Sequence, residues 1–262
     1  PLTTVLLDIR KAYDRVPRAM IWAKLRLRGV PPSTLGVLQD LMDETMVCVN
    51  LDGRLSDAVK AEVGVPQGAV LSPDLFNVYV DDLAARLVST MTGPGSPSLG
   101  GLPIPAIFYA DDQTLFHWDP VALQTMLDVC HQYALEHQYE YNVRKSCVVP
   151  ARSSRAPVLL LNGIPIPVVE ETELLGVSLR HGRIDHQHQL RTRLVKAEKA
   201  LVSFDMLGGF RTLCIPASKK RLLVTAWSRA KSEYGLAIAT HGDSVLTKID
   251  QLMARAAGKS LC

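Results

Sequence analysis

The sequence contains no apolar run of the about 18 residues that a membrane-spanning helix needs. Its first residues, PLTTVLLDIRKAYDRVP, also lack the basic leader and the cleavage pattern of a signal peptide. We therefore expect a soluble, intracellular chain without a membrane partner. A nuclear and an organellar location fit the sequence equally well.

Cysteine pairs at metal-binding or redox spacing are absent as well. The five cysteines stand singly, and no C-x-x-C occurs, which argues against a zinc site and against a disulfide framework. The 262 residues are 47% hydrophobic, so the chain is long and apolar enough to bury a sizeable core.

Charge is small overall but unevenly distributed. The formal net charge is +3, yet residues 180–231 hold 12 Lys and Arg against 3 Asp and Glu, whereas residues 1–120 hold 10 basic against 14 acidic residues. This division indicates an acidic, metal-holding part beside a part that binds a polyanion. Basic faces of ordinary surface helices would give the same count.

Two stretches carry adjacent carboxylates, YVDD at residues 79–82 and YADD at residues 109–112. The first lies within apolar residues at helical spacing, where neighbouring side chains point about 100° apart and cannot share a metal ion. The second lies between two short β-like runs, so a tight hairpin would present Asp111 and Asp112 at its tip. The sequence therefore predicts chemistry at YADD and a helix at YVDD.

A third acid, Asp8, follows the strand-like run TTVLL near the start of the chain. Mg²⁺ prefers oxygen ligands and keeps water and substrate phosphates in its shell, so a few carboxylates suffice to hold it. Asp8 together with Asp111 and Asp112 is the set that two-metal phosphoryl transfer requires.

Five stretches resemble a known family: LDIRKAYDRVPR, GVPQGAVLSPDLFNVYVDDL, FYADDQTLF, NVRKS and ELLGVSL. They occur in the order and spacing of motifs A to E of reverse transcriptases, and they are most similar to the motifs of non-LTR retrotransposons of the LINE type. The resemblance runs from about Thr3 to Leu179, and the basic helices after it resemble a polymerase thumb.

The resemblance implies an α+β fold of the right-hand polymerase type. Residues 1–180 would form the palm, an antiparallel sheet with packed helices, and residues 181–262 an all-helical, basic, thumb-like region. Because the chain begins almost at motif A, we expect the fingers that precede a palm to be largely missing.

The resemblance also implies roles for the acidic residues and their neighbours. Asp8 and Asp111 would hold two Mg²⁺ ions, or Mn²⁺ in their place, with Asp112 in looser contact and Ile9 contributing its backbone carbonyl. Tyr13 matches the aromatic steric gate that excludes a sugar 2′-hydroxyl; a plain core aromatic is the alternative.

Further roles concern substrate and nucleic acid. Gln67 and Gly68 would approach the nascent base pair, and Lys145 would assist departure of pyrophosphate, with a plain surface lysine as the alternative. Leu175 and Gly176 match the primer grip. The basic face of the following helix would contact phosphates without reading sequence; its residues are Arg191, Arg193, Lys196 and Lys199.

These roles describe an RNA-directed DNA polymerase that acts on an RNA template, a DNA primer and dNTPs, with a partner protein or segment supplying the fingers. A domesticated relative that serves a ribonucleoprotein as a non-catalytic RNA-binding or scaffold component is the alternative. A general two-metal nuclease would fit the acids but leaves GVPQG and the aromatic gate unexplained.

Overall fold

The computed structural model of the chain describes residues 2–90, 97–151, 156–208, 215–235, 238, 247–251 and 254. They group into two compact units, Pro1–Glu170 and Glu171–Cys262, each with its own apolar cluster. No helix in these described ranges is long and apolar enough to span a membrane.

The first unit combines one main sheet with four helices and several short β ribbons. Its helices are α1 (Arg18–Leu27), α2 (Pro32–Asp43), α3 (Ser72–Thr90) and α4 (Pro120–Glu136). Its strands are β1 (Thr3–Leu7), β2 (Met46–Val47), β3 (Asn50–Leu51), β4 (Arg54–Leu55), β5 (Val59–Lys60), β6 (Ser98–Leu99), β7 (Leu102–Pro103), β8 (Ala106–Tyr109), β9 (Asp112–His117), β10 (Cys147–Val149), β11 (Leu160–Leu161) and β12 (Ile164–Pro165).

The main sheet has the strand order β10-β1-β9-β8, and all neighbouring strands are antiparallel. Its central strand β1 reads TTVLL, a β-branched and apolar run that suits a strand covered on both faces. Leu83 and Leu87 of α3 and Leu123 and Leu127 of α4 are completely buried in the core that includes Val5 of β1. The predicted antiparallel sheet with packed helices is confirmed.

The second unit begins with a small antiparallel sheet and continues with helices. Its elements are β13 (Glu171–Leu174), β14 (Val177–Arg180), β15 (Arg183–Ile184), α5 (His186–Met206), α6 (Ala217–Val224), a π-helix (Thr225–Arg229) and α7 (Ala230–Glu233). Residues 247–251 are also helical.

The prediction that the chain is all-helical from residue 181 is wrong at its start. His181 and Gly182 both have positive φ angles, 49° and 70°, and this two-residue turn returns the chain so that Arg183 pairs with Arg180. The helical region begins only at His186, one strand later than predicted.

Candidate active site

The YADD sequence forms the tip of the β8–β9 hairpin. Tyr109 pairs with Asp112 across the two strands, which leaves Ala110 and Asp111 as a two-residue turn. Ala110 has a φ of 54°, in the left-handed region that favours glycine. The hairpin therefore holds two adjacent carboxylates at its end, as predicted.

The end of β1 brings Asp8 to the same place. The register of β1 with β9 pairs Leu7 with Gln113, so the next position along each strand sets Asp8 opposite Asp112. The backbone of Asp8 is fixed on its other side, because its N–H donates to Ser146 Oγ at 3.1 Å and its carbonyl accepts from Asn142 N at 2.8 Å.

These acids form an uncompensated negative cluster. Burial raises the pKa of Asp112, and the charges of Asp111 and Asp8 raise it further. Within the described residues, no lysine or arginine forms an ion pair with any of the three carboxylates.

A divalent cation fits this donor set. Carboxylate oxygens are hard ligands of the kind that Mg²⁺ prefers, and no basic side chain of the described ranges pairs with them to relieve their mutual repulsion. No three Asp, Glu, His or Cys side chains of the described ranges converge into a ready-made metal cage. The acids agree with a Mg²⁺ site that substrate phosphates and water would complete.

Tyr13 lies within the influence of this cluster. Burial raises the pKa of its phenol, and the charges of Asp111 and Tyr109 add to the effect. Its ring stacks on Phe76 of α3, with the ring centroids 5.1 Å apart and the planes at 21°. Tyr13 is therefore a half-buried aromatic that packs on α3 and feels the charge of the acids.

The GVPQG segment packs directly on the Tyr13 backbone. Val65 N donates to Tyr13 O at 2.8 Å, and a Cβ on Gly64 would lie 2.8 Å from the carbonyl oxygens of Tyr13 and Asp14. This position also has a φ of 84°, so only glycine fits both the space and the backbone.

The two predicted substrate contacts of this segment are exposed. Gln67 Nε2 lies 3.3 Å from Asp14 Oδ1, and Gly68 follows with a φ of 84°. Lys145 is exposed in the loop that carries Asn142 and Ser146, the residues that fix the Asp8 backbone.

Leu175 and Gly176 form the tip of the β13–β14 hairpin in the second unit. Leu174 pairs with Val177, and both tip residues have positive φ angles, 49° and 73°. Two residues outside the hairpin hold this tip: Arg193 Nη2 donates to Gly176 O, and Tyr234 Oη donates to Leu175 O at 2.7 Å.

The basic residues predicted on α5 have different environments. Arg191 and Lys199 are exposed, and Lys196 Nζ forms a 3.4 Å ion pair with Glu173. Arg193 is only 8% exposed, and its guanidinium lies 4.3 Å from the centroid of the Tyr234 ring. The structure thus places Arg193 inside the unit as a support of the hairpin, whereas the other three lie at the surface.

The YVDD sequence is part of α3, and its acids form ion pairs between helices. Arg28 Nη2, from the residue that caps the end of α1, lies 2.6 Å from Asp81 Oδ2, and Lys24 Nζ of α1 lies 2.8 Å from Asp82 Oδ2. The prediction of a helix at this position is confirmed.

Sequence reasoning missed a buried polar group behind the acids. Gln113 follows Asp112 and is 1% exposed; its Oε1 accepts from Tyr141 Oη at 2.6 Å, and Tyr141 also bridges to Ile9 in the sheet. These contacts tie the strand after the hairpin tip to the segment after Asp8. The signal in the sequence was an amide side chain directly after the acid pair, at the start of β9.

Residues 2–179 match the family model described as reverse transcriptase (RNA-dependent DNA polymerase), and the chain belongs to this family. Among curated relatives, the RNA-directed DNA polymerase from mobile element jockey of Drosophila funebris is 28% identical over 95% of this chain and 27% of its own length. The Pol polyprotein from the type-2 retrotransposable element R2DM of Drosophila melanogaster is 34% identical over 47% of this chain and 11% of its own length. The chain thus spans about a quarter of the jockey protein.

Solved structures with a similar fold include telomerases. Telomerase from Candida tropicalis, in complex with a TWJ fragment of telomeric RNA, aligns with a TM-score of 0.54 over 99% of this chain and 43% of its own, at 8% identity. An apo form truncated from its C-terminal domain aligns with a TM-score of 0.51 over 70% of this chain and 35% of its own, at 12% identity. The fold is therefore reverse transcriptase-like, with mixed helix and sheet.

Proposed function

We propose that this chain is the catalytic part of an RNA-directed DNA polymerase from a LINE-like retroelement. The observation that carries the proposal is the meeting of Asp8 with the Asp111 and Asp112 hairpin, without a neutralising side chain among the described residues. Membership of the reverse transcriptase family and the retroelement relatives support the same reaction.

We assign residues 1–180 to a palm and residues 181–262 to a basic, thumb-like region. The antiparallel sheet and its packed helices support the palm. The β13–β14 hairpin belongs to the same compact unit as α5, so the proposed primer grip at Leu175 and Gly176 is held by residues of the thumb-like region.

Mg²⁺ is the proposed cofactor, and two ions would supply activation of the attacking hydroxyl and stabilisation of the leaving oxygen. Asp8 and Asp111 would hold them, Asp112 would support the site, and the carbonyl of Ile9 would complete it. The overall reaction is attack of the primer 3′-hydroxyl on the α-phosphate of a dNTP, with release of pyrophosphate.

The remaining residues would orient the substrates. Tyr13 would lie under the incoming sugar and exclude a 2′-hydroxyl, while Gln67 and Gly68 would contact the nascent pair. The exposed Lys145 would approach the triphosphate and stabilise its developing charge. The RNA template and DNA primer would run against cations of α5, and a protein or segment supplying fingers would complete the enzyme.

The test is Mg²⁺-dependent primer extension on an RNA template, with template–primer binding recorded in the same samples. Asp111→Asn should abolish extension while binding stays within a factor of about 3, because the change removes a catalytic carboxylate and no phosphate contact. Asp81→Asn is the matched control, since it neutralises the equivalent residue of YVDD and should extend normally.

The exposed cations of α5 also suit the second candidate, a non-catalytic RNA-binding component of a ribonucleoprotein. That function predicts tight, salt-sensitive RNA binding without extension by the wild-type chain, including after a fingers segment is added in trans. Extension by the wild-type chain that Asp111→Asn eliminates would exclude it.

A further inference from the structure

The second unit contains a close helix–helix contact made by small residues. Ser228 and Ser232 are completely buried against α5, where Ala197 and Ala200 are 0% and 5% exposed, and Ser228 Oγ donates to Ala197 O at 3.3 Å. Small side chains let the two helix backbones approach closely. The larger side chains next to this contact project from both helices along its edge.

These larger residues line a groove of about 490 Å³, within the about 300–1,000 Å³ that small-ligand sites occupy. No carboxylate belongs to its lining in the described part of the chain. The lining residues are Arg193, Lys196, Lys199, Ala200, Ser203, Trp227 and Lys231.

The groove has an exposed cation on each wall. Lys199 on α5 and Lys231 on α7 are exposed, and neither forms an ion pair with a described residue. Lys196 is partly neutralised by Glu173, at 3.4 Å. A polyanion can therefore be held from both sides.

An aromatic ring lies between these cations. Trp227 is 46% exposed, and its indole meets Phe204 edge to face, with the ring centroids 6.2 Å apart and the planes at 79°. Phe204 is 7% exposed in the core of the unit, so it anchors the indole while leaving much of it open to a ligand.

We propose that this groove, with Trp227, Lys199 and Lys231, binds an unpaired stretch of single-stranded nucleic acid, one base stacking on the indole and the flanking phosphates meeting the lysines. Base stacking on an aromatic platform inside a basic groove is how single strands are bound without sequence preference. A fully paired duplex does not suit the site, because its base faces are already stacked on one another. The proposal rests on the nucleic-acid binding in the proposed function.

The test is fluorescence anisotropy of labelled, unstructured oligonucleotides with the purified full chain. Trp227→Ala should weaken single-strand binding by roughly 5- to 100-fold, the range that base stacking on an aromatic ring supports. Trp227→Phe should restore most of the affinity. Trp118→Ala is the matched control, since Trp118 is also 46% exposed but lies in the first unit, and it should bind as wild type.

A second variant tests a cation of the groove without changing the aromatic packing. Lys231→Gln should reduce the slope of log affinity against log salt by about 0.7, as expected for one phosphate contact to a single strand. Unchanged thermal midpoints would show that both variants fold. RNA and DNA oligonucleotides of the same sequence identify which kind of strand the groove prefers.

Three results would overturn the proposal: single-strand affinity unaffected by Trp227→Ala, an equal loss on a blunt RNA–DNA duplex, or failure of Trp227→Phe to restore binding. Asp111→Asn separates this inference from the polymerase function. It should bind single strands as wild type. Lack of extension by the wild-type chain, also after a fingers segment is added in trans, would reject the polymerase while leaving the groove measurement valid.

Discussion

At the scale of single residues, the candidate active site is an arrangement that folding alone does not favour. Asp8 and Asp112 lie at opposed positions of neighbouring strands, where like charges destabilise a sheet, and Asp111 adds a third charge. A carboxylate with a raised pKa inside such a group of acids, as at Asp112, is typical of functional sites.

The raised pKa of Asp112 allows the repulsion among these three carboxylates to be tested. A carboxyl group whose pKa is higher in the folded than in the unfolded chain binds its proton more tightly when folded, so its ionisation costs stability as the pH rises through that range. At neutral pH, Asp112→Asn should therefore raise the thermal midpoint measured without divalent ions, by about 1–3 °C after allowance for solvent screening.

Addition of divalent ions should reduce this difference in thermal midpoint between the wild type and Asp112→Asn. Mg²⁺ should raise the midpoint of the wild type more than that of Asp112→Asn, because the ion neutralises the repulsion that the substitution has already relieved. Asp57→Asn, at an exposed position of the first unit, should leave both the metal-free midpoint and its rise with Mg²⁺ as in the wild type. A lower midpoint for Asp112→Asn without metal would contradict the electrostatic interpretation.

At the scale of elements, the two ion pairs that connect the YVDD acids of α3 to Lys24 and Arg28 differ in how deeply the basic side chain is buried. The Lys24 side chain is 11% exposed, and its ammonium also donates to Tyr79 O at 2.5 Å and to Tyr133 Oη at 2.9 Å. The Arg28 side chain, which pairs with Asp81, is 38% exposed. Burial lowers the pKa of Lys24 despite its pairing with Asp82.

Asp82→Asn should therefore destabilise the chain by about 1 kcal/mol, because it leaves a charged, mostly buried amine without its carboxylate. Asp81→Asn, at the neighbouring surface pair, should cost at most about 0.5 kcal/mol. Urea unfolding followed by circular dichroism measures both changes. Equal effects of the two variants would show that burial of Lys24 does not set the strength of its pair.

The same pair has a defined pH dependence. Burial raises the pKa of Asp82, but the hydrogen bond and charge of Lys24 outweigh this effect and leave the pKa below its ordinary value. The contribution of Asp82 is then fully present above the unfolded pKa of about 3.9 and is lost as the pH falls through the folded value. The difference between wild type and Asp82→Asn should be constant from about pH 5 to 7 and shrink below about pH 4.

Local turn chemistry made several elements predictable, and packing between elements explains the others. Asp52 and Gly53 both have positive φ angles, as a two-residue hairpin turn at Asp-Gly requires. The equivalent turn at Leu175 places a leucine at a φ of 49°, a conformation that turn propensities do not predict for leucine. It is held by Arg193 and Tyr234, which are distant in sequence.

Helix α5 shows why periodicity assigned its faces only in part. Leu190, Leu194, Ala197 and Phe204 recur at helical spacing. Ala197 and Phe204 are buried, but Leu190 and Leu194 are only half-buried. Gln189 is 3% exposed, because its side chain accepts from Ser178 N at 2.8 Å and donates to Gly176 O at 3.3 Å. A polar residue can be buried when a neighbouring hairpin offers such partners, and hydrophobic patterning does not reveal them.

At the scale of the whole molecule, the order of short motifs was more informative than any single residue. Five motifs in sequence indicated the family that residues 2–179 match. The groove at Trp227 could not be predicted from the sequence, because it forms where two helices meet through Ser228 and Ser232 and therefore depends on tertiary packing.

The uneven charge of the chain is the last property at this scale, and it predicts how nucleic acid is bound. Residues 180–231 carry 12 basic and 3 acidic residues, and Arg191 is exposed among them on α5. If this region contacts phosphates, Arg191→Gln should weaken template–primer binding and lower the slope of log affinity against log salt by about one. Arg26→Gln removes an equally exposed cation from α1 in the acidic half, so it should leave the slope unchanged. Equal slopes for the two variants would mean that net charge, and not the basic surface of α5, drives the binding, since counterion release depends on which cations lie at the phosphates.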